Sequence, residues 1–421
     1  MSVLRDAVVD VDATGRVAYC GPAADAPGTG QVAETRLTGI LMPGLVNSHA
    51  HSAMTVLRGM GGDLPLGSWL NDVIWPAEAR MRPSDAGAGM RLGCIEMLQS
   101  GITTSAEMYF HPEELVAAAL EVGSRVLIAP AYLDVPGARW RDALASIDKW
   151  IDSDGLRFGP ADLVEICYGP HSAYMLPREA LEATAESARA RGALVHIHVA
   201  ESRAEDQDVR SAYGSVPELL DKTGLLDGRL LAAHAVHLSP RDIQLFSRAG
   251  IGVAHCPGSN AKLASGTARL TELRTAAVPV GLGTDGPASN DDLDLWEEMR
   301  LAAMFARLSD EDAMALTARD TLLMATREGA AALGRRDIGT LEPGKWADMV
   351  HIGVDGPQFS AGLDVPDTRL LSTLVWAAGS RAVSDVWVGG ERVLAQCEPV
   401  RTDRAAAQHA AAAAARHVTA A

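Results

Sequence analysis

Five histidines and two carboxylates carry the chemical content of this chain. His49 and His51 form one His-x-His pair, His196 and His198 a second, and Glu201 follows three residues later. His234 ends the run LLAAHAV, and Asp285 sits in VPVGLGTDG. Residues i and i+2 of a strand share a face, so each pair can direct imidazoles to one point. Three neutral imidazoles and a carboxylate suit Zn²⁺, or Fe²⁺, better than Ca²⁺ or Mg²⁺. A His-x-His alone is weak, because paired histidines also serve as hydrogen-bonded core residues. Either His196 or His198 could be of that kind. Their shared position strengthens the reading: each lies at the C-terminal end of an apolar run.

Those runs must be the elements that position the site. Eight short, β-rich segments recur at 41–51, 102–110, 125–133, 163–171, 194–202, 230–236, 251–257 and 278–286. Continuous apolar runs indicate strands buried on both faces, as in a parallel sheet. Helical signals separate them. Ser239-Pro240 opens one helix as N-cap and first-turn proline, and Gly250 closes it. Segments 177–192 and 84–101 behave alike. The alternation predicts an α/β fold, a (β/α)₈ TIM barrel whose site lies at the C-terminal strand ends. The flanks differ. VVDVDATGRVAY turns at Thr14-Gly15, and 339–400 holds further short strands with Gly turns. We expect residues 1–40 and 339–400 to combine into one small β-sandwich domain. The barrel then spans 41–338, and 401–421 is an Ala-rich helix or tail capped at Thr402/Asp403.

Composition bounds the function. Hydrophobic residues make up 48% of 421 residues, too many for a disordered chain. No apolar run is long enough for a membrane helix. The net charge of −17 disfavours nucleic-acid polymers and anionic lipid. Cys20, Cys94, Cys167, Cys256 and Cys397 are scattered, with no CxxC, which suggests a reducing compartment. The N-terminus shows no secretory signal, so a cytoplasmic enzyme is expected.

PGLVNSHAHS, HIHVAES, AAHAV and GLGTDGPASN resemble the amidohydrolase superfamily in its deaminase/chlorohydrolase branch, over roughly 38–350. LPLGSWLNDVIWPAEARM, AEMYF, GPHSAY, SNAKLASG and LDLWEEMRLAA are most similar to the methylthioadenosine/S-adenosylhomocysteine deaminases. The resemblance implies one metal, held by His49, His51, His198 and Asp285. It gives Glu201 the protonation of a ring nitrogen. It implies that Glu78 accepts from the ribose hydroxyls, that His171 contacts the purine, and that Ser289 lies near the substrate tail. Trp75 and Trp69 are candidates for an apolar wall. Binuclear members use a carboxylated lysine on the fourth strand. The chain's four lysines, Lys149, Lys222, Lys262 and Lys345, all lie elsewhere, which favours one zinc (or iron) ion per subunit.

From the residues, Asp285 can take a proton from a water that such an ion acidifies, and His234 can orient that water. The expected reaction is hydrolytic release of ammonia from an adenosine-type nucleoside: adenosine, 5′-deoxyadenosine, methylthioadenosine or S-adenosylhomocysteine. The alternative is a deaminase or chlorohydrolase of a free purine, pterin or triazine ring. The partners are thus a small nucleoside or base and water, and the resemblance implies a homodimer or homotetramer. Segment 130–160 departs from the family; Arg139 and Arg141 are the candidates there for a substrate carboxylate. His111, His237 and His255 read as supporting residues, and Glu107 as a structural hydrogen-bonding group.

Overall fold

The computed structural model describes residues 1–27, 33–134 and 139–420. All eight expected barrel strands are present among them. In chain order they are Leu45–Ala50, Ile102–Tyr109, Arg125–Tyr132, the divided pair Val164–Ile166 and Gly169–Pro170, Leu194–Val199, Arg229–His234, Gly252–His255 and Val280–Leu282. The neighbours run parallel in two arcs, the first four strands and the last four. Bridges Tyr168↔Val195 and Ser172↔His198 join the arcs, and Ala50↔Asp285 closes the ring. The first, second and fifth strands are buried at every position, as continuous apolar runs predict for strands covered on both faces.

The helices begin and end where capping chemistry places them. Ser239 and Asp242 form a reciprocal capping box ahead of helix Pro240–Ala249, and Gly250 ends it at φ 69°. The helix after the first barrel strand spans Pro83–Gln99, and that before the fifth spans Arg178–Arg191.

Both chain ends supply the small β region. The first apolar run divides at Gly44: Ile40–Pro43 pairs antiparallel with Met349–Ile352, and Leu45–Ala50 enters the barrel. A single buried run does not reveal that it serves two sheets, so the boundary expected at 40/41 falls inside a strand of the smaller one. A Cβ on Gly44 would lie 2.2 Å from Thr103 Oγ1, so this crossing point has no room for a side chain. Strands Val383–Val388, Glu391–Ala395 and Glu398–Pro399 complete five strands. The hairpin Ala7–Val11/Val17–Pro22 turns through Thr14-Gly15 and meets this region at Arg16↔Trp346.

The Ala-rich segment is a docked helix, Arg404–Thr419, capped by Asp403. It buries Ala407, Ala411, Ala414 and Val418, and His417 Nδ1 lies 2.9 Å from Asp85 Oδ2. Among the described residues no helix is long and apolar enough to cross a membrane.

Candidate metal centre and substrate pocket

The strand ends bring four imidazoles and one carboxylate together. Donor atoms of His49, His51 and His198 lie within 4.8 Å of one another, as do those of His49, His234 and Asp285. Each ring is held through Nδ1, which leaves Nε2 facing the common centre. His49 Nδ1 is 2.8 Å from His196 Nε2, and His51 Nδ1 bonds the Met108 carbonyl. His198 Nδ1 is 2.8 Å from the His171 carbonyl, and His234 Nδ1 is 3.0 Å from Asn260 Oδ1. Outer partners of this kind set tautomer and ring orientation in metal sites. They also separate the His-Ile-His pair: His198 faces the centre while His196 braces His49.

Asp285 completes the set. Its Oδ1 lies 3.3 Å from His49 Nε2 and 3.2 Å from His51 Nε2. Its Oδ2 accepts from Ser259 Oγ at 2.6 Å and Ser289 Oγ at 2.8 Å. Burial opposes the charge, but the His49 and His51 imidazoles hold this carboxyl well below the usual range. His49 Nε2 is buried and has no partner of hydrogen-bond geometry. A buried, unpaired nitrogen among three more imidazoles and a carboxylate is unfavourable unless a cation fills the centre. The donor set therefore fits a divalent ion bound by nitrogen and oxygen. Burial holds His49 down at about 3, keeping it neutral as a ligand must be.

The backbone bends to make this convergence. His234 at φ 67° and Asp285 at φ 58° sit in the left-handed region without being glycine. Such residues cost roughly 1–3 kcal/mol each and collect at functional sites. Gly283 allows the last strand to pass the first, since a Cβ there would meet His49 Cβ and Cys256 Sγ at 2.9 Å.

A cleft lined largely by apolar and aromatic side chains opens above the centre, the composition usual for small-molecule pockets. Glu201, on its wall, lies 3.9 Å from His234 Nε2 through Oε2. Burial raises its pKa, which favours the protonated form. His171 also lines the cleft, and burial lowers it to about 4, leaving it neutral. Glu78 lines the cleft from helix Trp75–Glu78 and accepts from Tyr109 OH at 2.7 Å. Burial pushes Glu78 up to about 7, with the Tyr109 hydrogen bond opposing. Trp69 and Trp75 lie on the same wall.

Three expectations need revision or extension. Ser289 is not on the cleft wall; its hydroxyl is spent on Asp285 and on the Gly286 carbonyl. Arg141 points away, to an exposed ion pair with Glu179 at 2.6 Å, and Arg139 is exposed. Residues 135–138 of that segment lie outside the described residues. Tyr109, Ser259 and Asn260 were not singled out by sequence reasoning, although AEMYF and SNAKLASG contain them. Glu107 is structural, accepting from Ser52 N, Ser52 Oγ and Ser105 Oγ at 2.7–2.9 Å, which anchors the turn after His51. His237 bonds the Ser265 carbonyl, and His255 is buried.

Comparison with known proteins agrees with this geometry. Residues 40–393 match the amidohydrolase family. A 5-methylthioadenosine/S-adenosylhomocysteine deaminase of Pelotomaculum thermopropionicum is 41% identical, covering 91% of this chain and 85% of its own. A deaminase of the same name from Moorella thermoacetica is 39% identical over 91% and 89%. Among solved structures, an adenosine deaminase from Xanthomonas campestris with bound zinc superposes with a TM-score of 0.90 at 36% identity, covering 99% of this chain and 94% of its own. An atrazine chlorohydrolase from Arthrobacter aurescens, also with zinc, gives 0.88 at 27%, over 98% and 96%. Family match, relatives and barrel-end ligand geometry converge: the chain is an enzyme of the amidohydrolase family.

Proposed function

We propose that this enzyme is a zinc-dependent deaminase of adenosine-type nucleosides, with one ion per subunit held by His49, His51, His198 and Asp285. The observation that carries the reading is Glu78 in the same cleft as the metal set, since a carboxylate can accept from both hydroxyls of a ribose diol. The relatives named as deaminases of 5′-modified adenosines support it. When bound, the ion supplies Lewis acidity that makes a water nucleophilic near neutral pH.

The chain's own groups do the rest. Asp285 stays ionised and takes the proton of the attacking water, its orientation held by Ser259 and Ser289. His234, fixed by Asn260, hydrogen-bonds that water through Nε2. Glu201 holds a proton because burial raises its pKa, and it delivers this to the ring nitrogen beside the attacked carbon. Negative charge would otherwise accumulate on that nitrogen. The oxygen–carbon bond forms; the carbon–amine bond then breaks as the new hydroxyl becomes a carbonyl and gives its proton to restore Glu201, and ammonia leaves with the proton returned by Asp285. The test is ammonia release by metal-replete enzyme on adenosine, 5′-deoxyadenosine and 5′-methylthioadenosine, beside guanine and a triazine. We expect turnover of the nucleosides; turnover confined to the free rings would sink the reading.

A further inference from the structure

We infer that the pocket selects neutral, apolar 5′ substituents, such as hydrogen or an alkylthio group, and rejects a 5′ chain ending in an amino-acid carboxylate. The inference rests on the nucleoside reading above and separates substrates within it. Its basis is the composition of the outer cleft.

The segment from Leu66 to Glu78 is one nearly continuous helical run. Glu78 stands at its inner end, tied to Tyr109, whose ring centroid is 6.3 Å from that of His51. Leu66, Trp69 and Leu70 stand about two to three turns earlier on the same run, toward the outer cleft. A nucleoside with its ring at the metal and its diol on Glu78 directs its 5′ carbon away from the centre. The side chains waiting there include Leu66, Trp69, Leu70, Trp75, Phe110 and Leu133.

No lysine or arginine is among the described residues that line the cleft. Its acidic residues, Glu78, Glu201 and Asp285, stand with the histidines around the metal set and the diol position. Residues 135–138 read Val-Pro-Gly-Ala and bring no basic side chain. Of the basic residues that adjoin the wall in sequence, Arg139 and Arg203 are exposed and are not among those lining the cleft, and three others are engaged elsewhere. Arg141 pairs with Glu179 and lies over Trp140, Lys262 pairs with Asp291, and Arg80 donates to the Val418 carbonyl. A carboxylate entering this collar loses water and finds only uncharged side chains there. An alkyl or methylthio group loses nothing polar and covers aromatic surface.

The experiment compares S-adenosylhomocysteine with 5′-butylthioadenosine, a neutral thioether of similar chain length, by ammonia release from the zinc-loaded enzyme. 5′-Methylthioadenosine and adenosine serve as references. We expect kcat/KM for the butylthio compound to exceed that for S-adenosylhomocysteine by roughly 100-fold, as an unpaired buried charge dictates. Values within about threefold of each other, a spread worth well under the cost of burying a charge, would overturn the inference and leave the nucleoside reading intact. Turnover of none of the four nucleosides overturns that reading, and this inference with it. A second measurement keeps charge and size apart. Leu133→Arg should narrow the ratio of the two thioethers by about tenfold or more through the new ion pair; an unchanged ratio counts against the inference.

Discussion

The two ends of the barrel both bury charge, and they treat it in opposite ways. At the N-terminal ends of the strands every buried carboxylate has a guanidinium. Glu165 receives Arg157, Arg229 and Arg335 at 2.8, 2.9 and 3.1 Å. Asp348, from the small β region, takes Arg125 in a two-pronged pair at 2.8 and 2.9 Å. Arg125 also donates to the carbonyls of Ala161 and Asp162. At the C-terminal ends, Asp285 lies against imidazoles and two serine hydroxyls and Glu201 lies 3.9 Å from His234, neither with a guanidinium among the described residues, and His49 Nε2 is left without a hydrogen bond. Complete pairing makes a joint between barrel and β region. Incomplete pairing leaves capacity for an ion, a water and a substrate. Burial alone therefore does not mark the site; the unfilled remainder does.

That contrast breaks most sharply at Asp285. Asp285→Asn keeps the shape but removes the charge that balances the ion and accepts the water proton. We expect kcat to fall by about 10³-fold or more, with reduced zinc retention by elemental analysis and near-normal thermal stability. Glu201→Gln should lower kcat by roughly 10²–10⁴-fold, the range of a lost general acid, with zinc content unchanged. A Glu201→Gln enzyme that loses its zinc would move this residue from proton donor to ligand.

The opposite end should give the opposite pattern. Glu165→Gln removes the buried carboxylate that Arg157, Arg229 and Arg335 share, while Arg335 keeps Asp337 and Arg229 keeps two carbonyls, so the loss should be about 1.5–3 kcal/mol, that of a hydrogen bond to a charged group. Thermal unfolding should shift down accordingly, while kcat/KM of the folded enzyme at low temperature stays within about twofold, since the change lies at the far end of the barrel. A large loss of kcat without loss of stability would erase the distinction between the two ends.

What was legible in the sequence follows the same division. His49/His51 and His196/His198 stand out because strand periodicity puts i and i+2 on one face, and their chain positions alone order the strand ends. The barrel was legible because each strand is a separate apolar run between capped helices. The split of 40–51 into two sheets was not, because both halves are buried and apolar. Nor was Ser289's partner: a serine four residues past Asp285 can face the cleft or turn back to the carboxylate, and only the turn at Gly286 decides. Tyr109–Glu78 and Asn260–His234 join residues 31 and 26 positions apart on different elements, so no local pattern announces them. Arg141 was ambiguous for the same reason: its partner Glu179 lies on another helix.

The smallest expected effect sharpens the comparison inside the cleft itself. Tyr109→Phe removes the hydrogen bond that Tyr109 donates to Glu78. Burial sets Glu78 at about 7, and the Tyr109 hydrogen bond works against that rise. The form that accepts from a diol is the carboxylate, present above this pKa and lost as pH falls through it. Nucleoside KM should therefore climb below about pH 7 in the parent enzyme, since each unit below halts binding about tenfold. Without Tyr109 the carboxyl becomes harder to ionise, so the rise in KM begins at higher pH. At pH 7 a hydrogen bond to a charged group, about 1.5–3 kcal/mol, corresponds to a KM increase of roughly tenfold or more, and kcat should change little. A group that merely packed the wall would raise KM equally at every pH. The displaced pH profile is what distinguishes a tyrosine that tunes its neighbour's charge from one that fills space.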